Sequence, residues 1–303
     1  MIEINSLGLT LGENEVLQDI SLTVEKGSVY GFLGSNGAGK STLMRCICGV
    51  YRPTSGSVKI DGNEVYDDPA AKGKIFFVND ETVQYTSFTL EQLKDYYKSY
   101  YEKFSEETFG RLLSKVQLPL DKKLSSFSKG MKRQAIVIIA LSCKTDYLML
   151  DEAFDGLDPA MRMAIKNMIT DEIIDRNAAV IVSSHNITEI SEICDRAMLI
   201  HKGKIIFSDE LDSITAGFSK LQLVFKGDVP EEQKIRAAIP EVIKTSVSGS
   251  IVHIIARAAE EEAKNAAAAL SPEITEAVPL TLEEVFIYEM EARGYAGFFT
   301  ENN

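Results

Sequence analysis

A chain of 303 residues, 45% apolar and 25% charged, can bury one large core or two ordinary ones, and its 45 acidic against 32 basic side chains leave a net charge of −13. That balance argues against nucleic acid as a partner, because phosphate neutralisation needs a clustered basic surface. No apolar run approaches the roughly 20 residues of a membrane span, and the opening "MIEINSLG" lacks a signal peptide's basic-then-apolar order, so a cytoplasmic chain is expected.

In chain order, "EVLQDISLTV" and "SVYGFLG" alternate as strands and run into a glycine-rich loop, Gly34 to Thr42. The helix "KSTLMRCICG" follows, with Gly49 as its stop. "SGSVKIDGNEV" reads as a hairpin and "KIFFV" as a buried strand. Thr89 to Leu118 is helical, and its stripe of Tyr96, Tyr97, Tyr100, Tyr101 and Phe104 is expected to face a core. Ser128, in "SSFSKGMKRQ", is placed as the N-cap of the helix that carries "AIVIIAL". From Ala135 helices alternate with the strands "YLMLD", "AAVIVSS" and "RAMLIHKG", which predicts an α/β fold with a largely parallel sheet. After about residue 216 the order becomes β-α-β-β-α-β, that of a small ferredoxin-like α+β domain over 216–303. Its acid is dense: residues 221–303 hold 7 basic and 14 acidic side chains. Cys46, Cys48, Cys143 and Cys194 lack paired C-x-x-C spacing and read as free, buried thiols of a reducing compartment.

The loop "GSNGAGKST" fits G-x-x-x-x-G-K-[ST] between a strand and a helix, the pattern of a phosphate cradle. Backbone N–H groups of Gly34, Ser35, Asn36, Gly37, Ala38 and Gly39 can curl around a polyphosphate, and the helix start adds partial positive charge. Lys40 would reach the β- and γ-phosphates, Ser41 would hold Mg²⁺, and Thr42 completes the motif. At the end of "YLMLDE", Asp151 would orient Mg²⁺ and Glu152 would polarise a water for in-line attack. His185, ending "SSH", stands where a side chain could sense the γ-phosphate.

Taken in order, the phosphate loop, "FSKGM", "LMLDE", "DGLD" and the histidine resemble the ATP-binding cassette (ABC) ATPases over nearly all of residues 1–215. The resemblance implies a P-loop ATPase domain over 1–215 with a helical subdomain at about 82–140. It also implies ATP and Mg²⁺ as ligands, and Ser128, Lys129 and Gly130 serving the γ-phosphate of ATP bound to a second cassette. Besides Lys129 where the family has glycine, three departures accompany it. Leu11 takes the place of the aromatic residue that stacks adenine, Asp80 stands where a glutamine links Mg²⁺ to the transport partner, and Ala153 replaces a proline. Lys129 for glycine is compatible with the drug and antimicrobial-peptide exporter branch, as is the final "TLEEVF" helix. The implied protein is the ATPase subunit of a bacterial exporter, peripheral on the inner face of the membrane through a separate permease and paired as a homodimer or with a paralogous cassette. A soluble ABC ATPase unconnected with transport, or an ATP-gated scaffold that does not hydrolyse, are the alternatives.

Overall fold

The computed structural model describes residues 1–79, 85–155 and 157–292. Six strands line up in the order Lys204–Glu210, Arg196–His201, Val29–Leu33, Ala179–Ser184, Tyr147–Asp151 and Ile75–Val78. Four neighbouring pairs among them, from Arg196–His201 to Ile75–Val78, run parallel. Every residue of Val29–Leu33, Tyr147–Asp151 and Ala179–Ser184 is buried, which is why these strands read as continuous apolar runs without alternation. Parallel strands deliver their carboxyl ends to one edge. Register makes those ends level: Leu33 pairs with Ser184, and Asp151 with Ser183. Residues 34–42, Asp151–Glu152 and Ser184–His185 therefore leave the sheet together.

A second sheet is antiparallel, ordered Asn14–Val24, Ile2–Leu11, Ser55–Ile60 and Asn63–Glu64. The helix Lys40–Ile47 is buried between the two sheets through Leu43, Met44 and Ile47, among Leu17, Met149 and Met198.

Residues 89–118 form two helices, Leu90–Tyr100 and Glu106–Val116, where a single helical stretch was expected. Tyr101 is extended, and Ser105 restarts the helix by accepting from the Thr108 N–H, with Glu106 and Glu107 favourable in the first turn. The tyrosine stripe is not core: Leu90 and Leu93 are the buried positions of its helix, and Tyr100 is 69% exposed. Tyr97 and Tyr101 rest on Phe76 at ring distances of 5.0 and 5.3 Å, and Tyr96 stacks on Tyr85 and Tyr100 at 5.1 and 5.0 Å. The rings make a half-open ladder in which the hydroxyls find polar partners: Tyr101 donates to the Ile75 carbonyl at 3.1 Å, and Tyr85 and Tyr96 meet at 3.2 Å.

A buried carboxylate ties the helix Glu106–Val116 to a helix further along the chain. Glu172, in the helix Pro159–Arg176, is fully buried and meets Arg111, Lys144 at 2.6 Å and Arg176 at 3.6 Å.

The chain divides into two compact units after Ser208, ahead of the boundary expected at 215/216, because the helix Leu211–Ala216 belongs with the second unit. In that unit four strands are ordered Val242–Ser248, Ile251–Ala256, Ser219–Val224 and Ile274–Ala277, all pairings antiparallel. This is the strand order of a split βαβ unit. Helices Glu232–Ala238 and Glu260–Ala267 bury Ile235, Ala263 and Ala267 against Leu221, Leu223, Val252 and Ile254. The helix Leu282–Ala292 buries Val285 and Phe286, and its Glu284 pairs with Lys220 at 2.7 Å.

Candidate functional site

Gly39 caps the helix Lys40–Ile47 at φ 113°, a conformation that a side chain would strain. No side chain caps this helix and no acid sits in its first turn, so its first amide groups are left for an anion. Gly34 has no room for a side chain, since a Cβ there would lie 2.4 Å from the Ile200 carbonyl oxygen.

Lys40 is only 5% exposed. Its Nζ donates to the carbonyls of Gly34 and Ser35 at 2.6 and 3.2 Å and lies 3.2 Å from Glu152 Oε1. Ser41 Oγ donates to Asp151 Oδ1 at 3.0 Å, and Ser183 Oγ donates to the same oxygen at 2.5 Å. Ser183 also receives the Glu152 N–H, on its Oγ at 3.0 Å and on its carbonyl at 3.2 Å. Those bonds hold Glu152 at φ 48°, a left-handed backbone that costs free energy in a non-glycine residue and turns its side chain out of the strand. The Glu152 carboxylate then bridges two cationic or polar groups: Oε2 accepts from His185 Nδ1 at 3.0 Å while Oε1 faces Lys40. Asn186 caps the next helix by accepting from Thr188 and Glu189, which orients His185 just ahead of it.

Ser128 caps the helix Lys129–Ser142, its Oγ accepting from the Met131 N–H at 3.2 Å, so the helix opens two residues ahead of Met131. Lys129 Nζ pairs with Asp155 Oδ2 at 3.0 Å. That hydrogen bond, against some burial, holds the Asp155 carboxyl below the usual range. Gly130 lets this helix approach its neighbour, because a Cβ there would lie 2.5 Å from Met161 Sδ. Leu11 ends its strand opposite Asn14 and is 41% exposed. Asp80 lies outside the described residues.

The structure thus gathers Lys40, Ser41, Asp151, Glu152 and His185 into one contact chain. No hydrogen bond or ion pair among the described residues links Ser128, Lys129, Gly130 or Leu11 to residues 34–42. Ser183 and Asp155 belong to these clusters and were missed; the signal for Ser183 was the polar pair closing the otherwise apolar "AAVIVSS". No cluster of three or more His, Cys, Asp or Glu among the described residues could cage a metal unaided. Ser41 and Asp151 instead offer one hydroxyl and one carboxylate, hard oxygen donors that suit Mg²⁺ completed by phosphate oxygens.

The family model described as ABC transporter matches residues 17–155. The ABC transporter ATP-binding protein YtrB of Bacillus subtilis (strain 168) is 30% identical over 289 residues, 95% of this chain and 97% of YtrB. The lantibiotic transport ATP-binding protein SrtF of Streptococcus pyogenes is 30% identical over 77% of this chain and 100% of SrtF. The dimeric structure of MJ0796, a bacterial ABC transporter cassette, matches with a TM-score of 0.61 at 20% identity, over 69% of this chain and 98% of that one, a likeness of fold. With the matched family model beginning ahead of the phosphate loop and a relative at 30% identity spanning nearly the whole chain, this protein belongs to the ABC transporter family as one of its ATP-binding, ATP-hydrolysing subunits.

Proposed function

We propose that the chain powers export through a membrane-spanning partner, by closing head-to-tail on a second cassette with ATP between the two. The observation that carries this reading is the chain of contacts from Lys40 through Glu152 to His185, beside that from Ser41 through Asp151 to Ser183. Three segments distant in sequence, at residues 40–41, 151–152 and 183–185, supply at one sheet edge what phosphoryl transfer to water needs. In this reading the loop Gly34–Thr42 cradles the phosphates with its N–H groups, and Lys40 moves from its carbonyl partners onto the β- and γ-oxygens. Ser41 and Asp151 would hold Mg²⁺, which supplies charge neutralisation between those phosphates. Glu152 takes the proton from the attacking water, with its carboxylate aimed by Lys40 and His185. His185 then stands where a γ-phosphate would replace its contact with Glu152.

In the same reading the signature stretch belongs to a second cassette. Ser128 and Gly130 stand at a helix start suited to an anion, and no described contact brings them to their own phosphate loop, which supports the reading that they serve the site of another chain. No described helix is long and apolar enough to cross a membrane. Transport accordingly calls on a membrane partner, and the name of SrtF, with the final "TLEEVF" helix, favours export. Leu11 would give adenine an aliphatic contact.

The test is a pair of substitutions. Lys40→Ala should lose ATP binding by calorimetry with an unchanged circular dichroism spectrum. Glu152→Gln should keep that binding and lose turnover by about 10²-fold or more, the scale of general-base catalysis. ATP affinity untouched by Lys40→Ala, or turnover untouched by Glu152→Gln, would contradict the assignment.

A further inference from the structure

Lys129 is a cation placed against its own helix. It is the first residue of Lys129–Ser142, whose first turn holds no acid, and Lys132 and Arg133 follow after Gly130 and Met131. Backbone amides make a helix start positive, so lysine is unfavourable there. A residue that breaks a local rule without local compensation marks a functional position. The compensation here is non-local: Asp155 Oδ2 receives Lys129 Nζ at 3.0 Å across 26 residues of sequence. Both side chains are about half exposed, 58% for Lys129 and 52% for Asp155.

Asp155 also belongs to the chain's own site. Its N–H donates to the Glu152 carbonyl at 3.2 Å, within the turn that sets Glu152. Besides Lys129, the charges of His185 and Arg133 bear on its carboxyl. One carboxylate therefore holds a group beside Ser128 and Gly130, on the stretch offered to a partner, and stands next to the Glu152–His185 pair.

We propose that Asp155 is a positioning residue that keeps Lys129 in the separate subunit and yields it to the γ-phosphate of the partner's ATP on pairing. This rests on the head-to-tail reading above. An exposed lysine–carboxylate pair is weak. A γ-phosphate carries more charge and three acceptor oxygens, and bonds between two ionised groups strengthen where closure excludes water. Exchange thus runs towards the phosphate when the cassettes close. After hydrolysis the terminal phosphoryl group is gone, and Asp155 recovers the lysine.

The experiment uses the full chain carrying Glu152→Gln, with Mg²⁺, and follows dimer formation by sedimentation as ATP is raised. Lys129→Ala should raise the ATP midpoint about tenfold. Asp155→Asn should lower it about two- to fivefold, the worth of a surface pair now released, and Asp155→Glu should return it to the parent value. The double variant Lys129→Ala/Asp155→Asn should match Lys129→Ala alone, because Asp155 acts only through the lysine. A midpoint unmoved by Lys129→Ala, or an Asp155→Asn effect that survives without the lysine, overturns the inference while leaving the pairing intact. A parent that stays monomeric in saturating ATP instead removes the pairing, and the inference with it.

Discussion

Replacing Ser183 by alanine deletes one oxygen that serves two carboxylate residues at once. Its Oγ, fully buried, donates to Asp151 at 2.5 Å and accepts the Glu152 N–H at 3.0 Å. The Glu152 N–H keeps the Ser183 carbonyl at 3.2 Å, so the left-handed turn loosens without collapsing. Asp151 retains Ser41 at 3.0 Å but loses its shorter partner. A hydrogen bond to a charged group is worth about 1.5–3 kcal/mol. At about 1.4 kcal/mol per tenfold, its loss lowers metal-dependent turnover by about ten- to a hundredfold, the range seen when the partner of a metal ligand is removed. Steady-state hydrolysis measured across Mg²⁺ concentrations should show a raised half-saturation point and a lowered kcat. Thermal unfolding should fall by about 2–4 °C for each kcal/mol lost in a chain this size. Turnover and Mg²⁺ dependence within twofold of wild type, in a folded variant, would refute the positioning role.

Three further outcomes can be checked on the same protein. Glu172→Gln keeps the packing but leaves Arg111, Lys144 and Arg176 facing no buried carboxylate, and should cost about 3 kcal/mol in denaturant unfolding, the lower end for a broken buried pair because Arg111 is partly exposed. Asp61 is partly desolvated, yet hydrogen bonds from Lys74, the Met1 ammonium and Tyr147 more than offset this and hold its carboxyl well below the ordinary range. A depressed folded value means stability that is present above the unfolded value of about 3.9 and lost as pH falls through the folded one, so the stability gap between wild type and Asp61→Asn should narrow progressively as pH drops below about 5. Leu11→Tyr should tighten ATP binding by calorimetry several-fold, since base stacking is worth about 1–3 kcal/mol.

What could be read in advance follows from how far apart the partners lie. The cradle Gly34–Thr42 needs only a strand, nine residues and a helix in succession, so its pattern is complete within one stretch. Ser41 and Asp151 are 110 residues apart, and only the ordered set of motifs joined them before the sheet register did. Ser183 had no such pattern: its role exists because Asp151 and Ser183 are level on adjacent strands, which no spacing encodes. Asp155 opens the "DGLD" stretch, but its pairing with Lys129 has no pattern in the sequence until the fold brings the two together. The stripe from Tyr96 to Phe104 misled because periodicity reports a shared face and not what covers that face. The break at Tyr101–Ser105 was missed for a similar reason, since the apolar spacing runs on while Ser105 recaps the chain.

In the proposed cycle two of these cassettes close on ATP, each completing the other's site through Ser128 and Gly130. The molar mass of the Glu152→Gln chain by light scattering, with and without ATP and Mg²⁺, alone and with Ser128→Arg added, decides whether they do. The expected result is a dimer only with ATP, reverting to a monomer with Ser128→Arg while ATP binding to the phosphate loop is retained. A chain that stays monomeric in saturating ATP, or a dimer indifferent to Ser128→Arg, would contradict it.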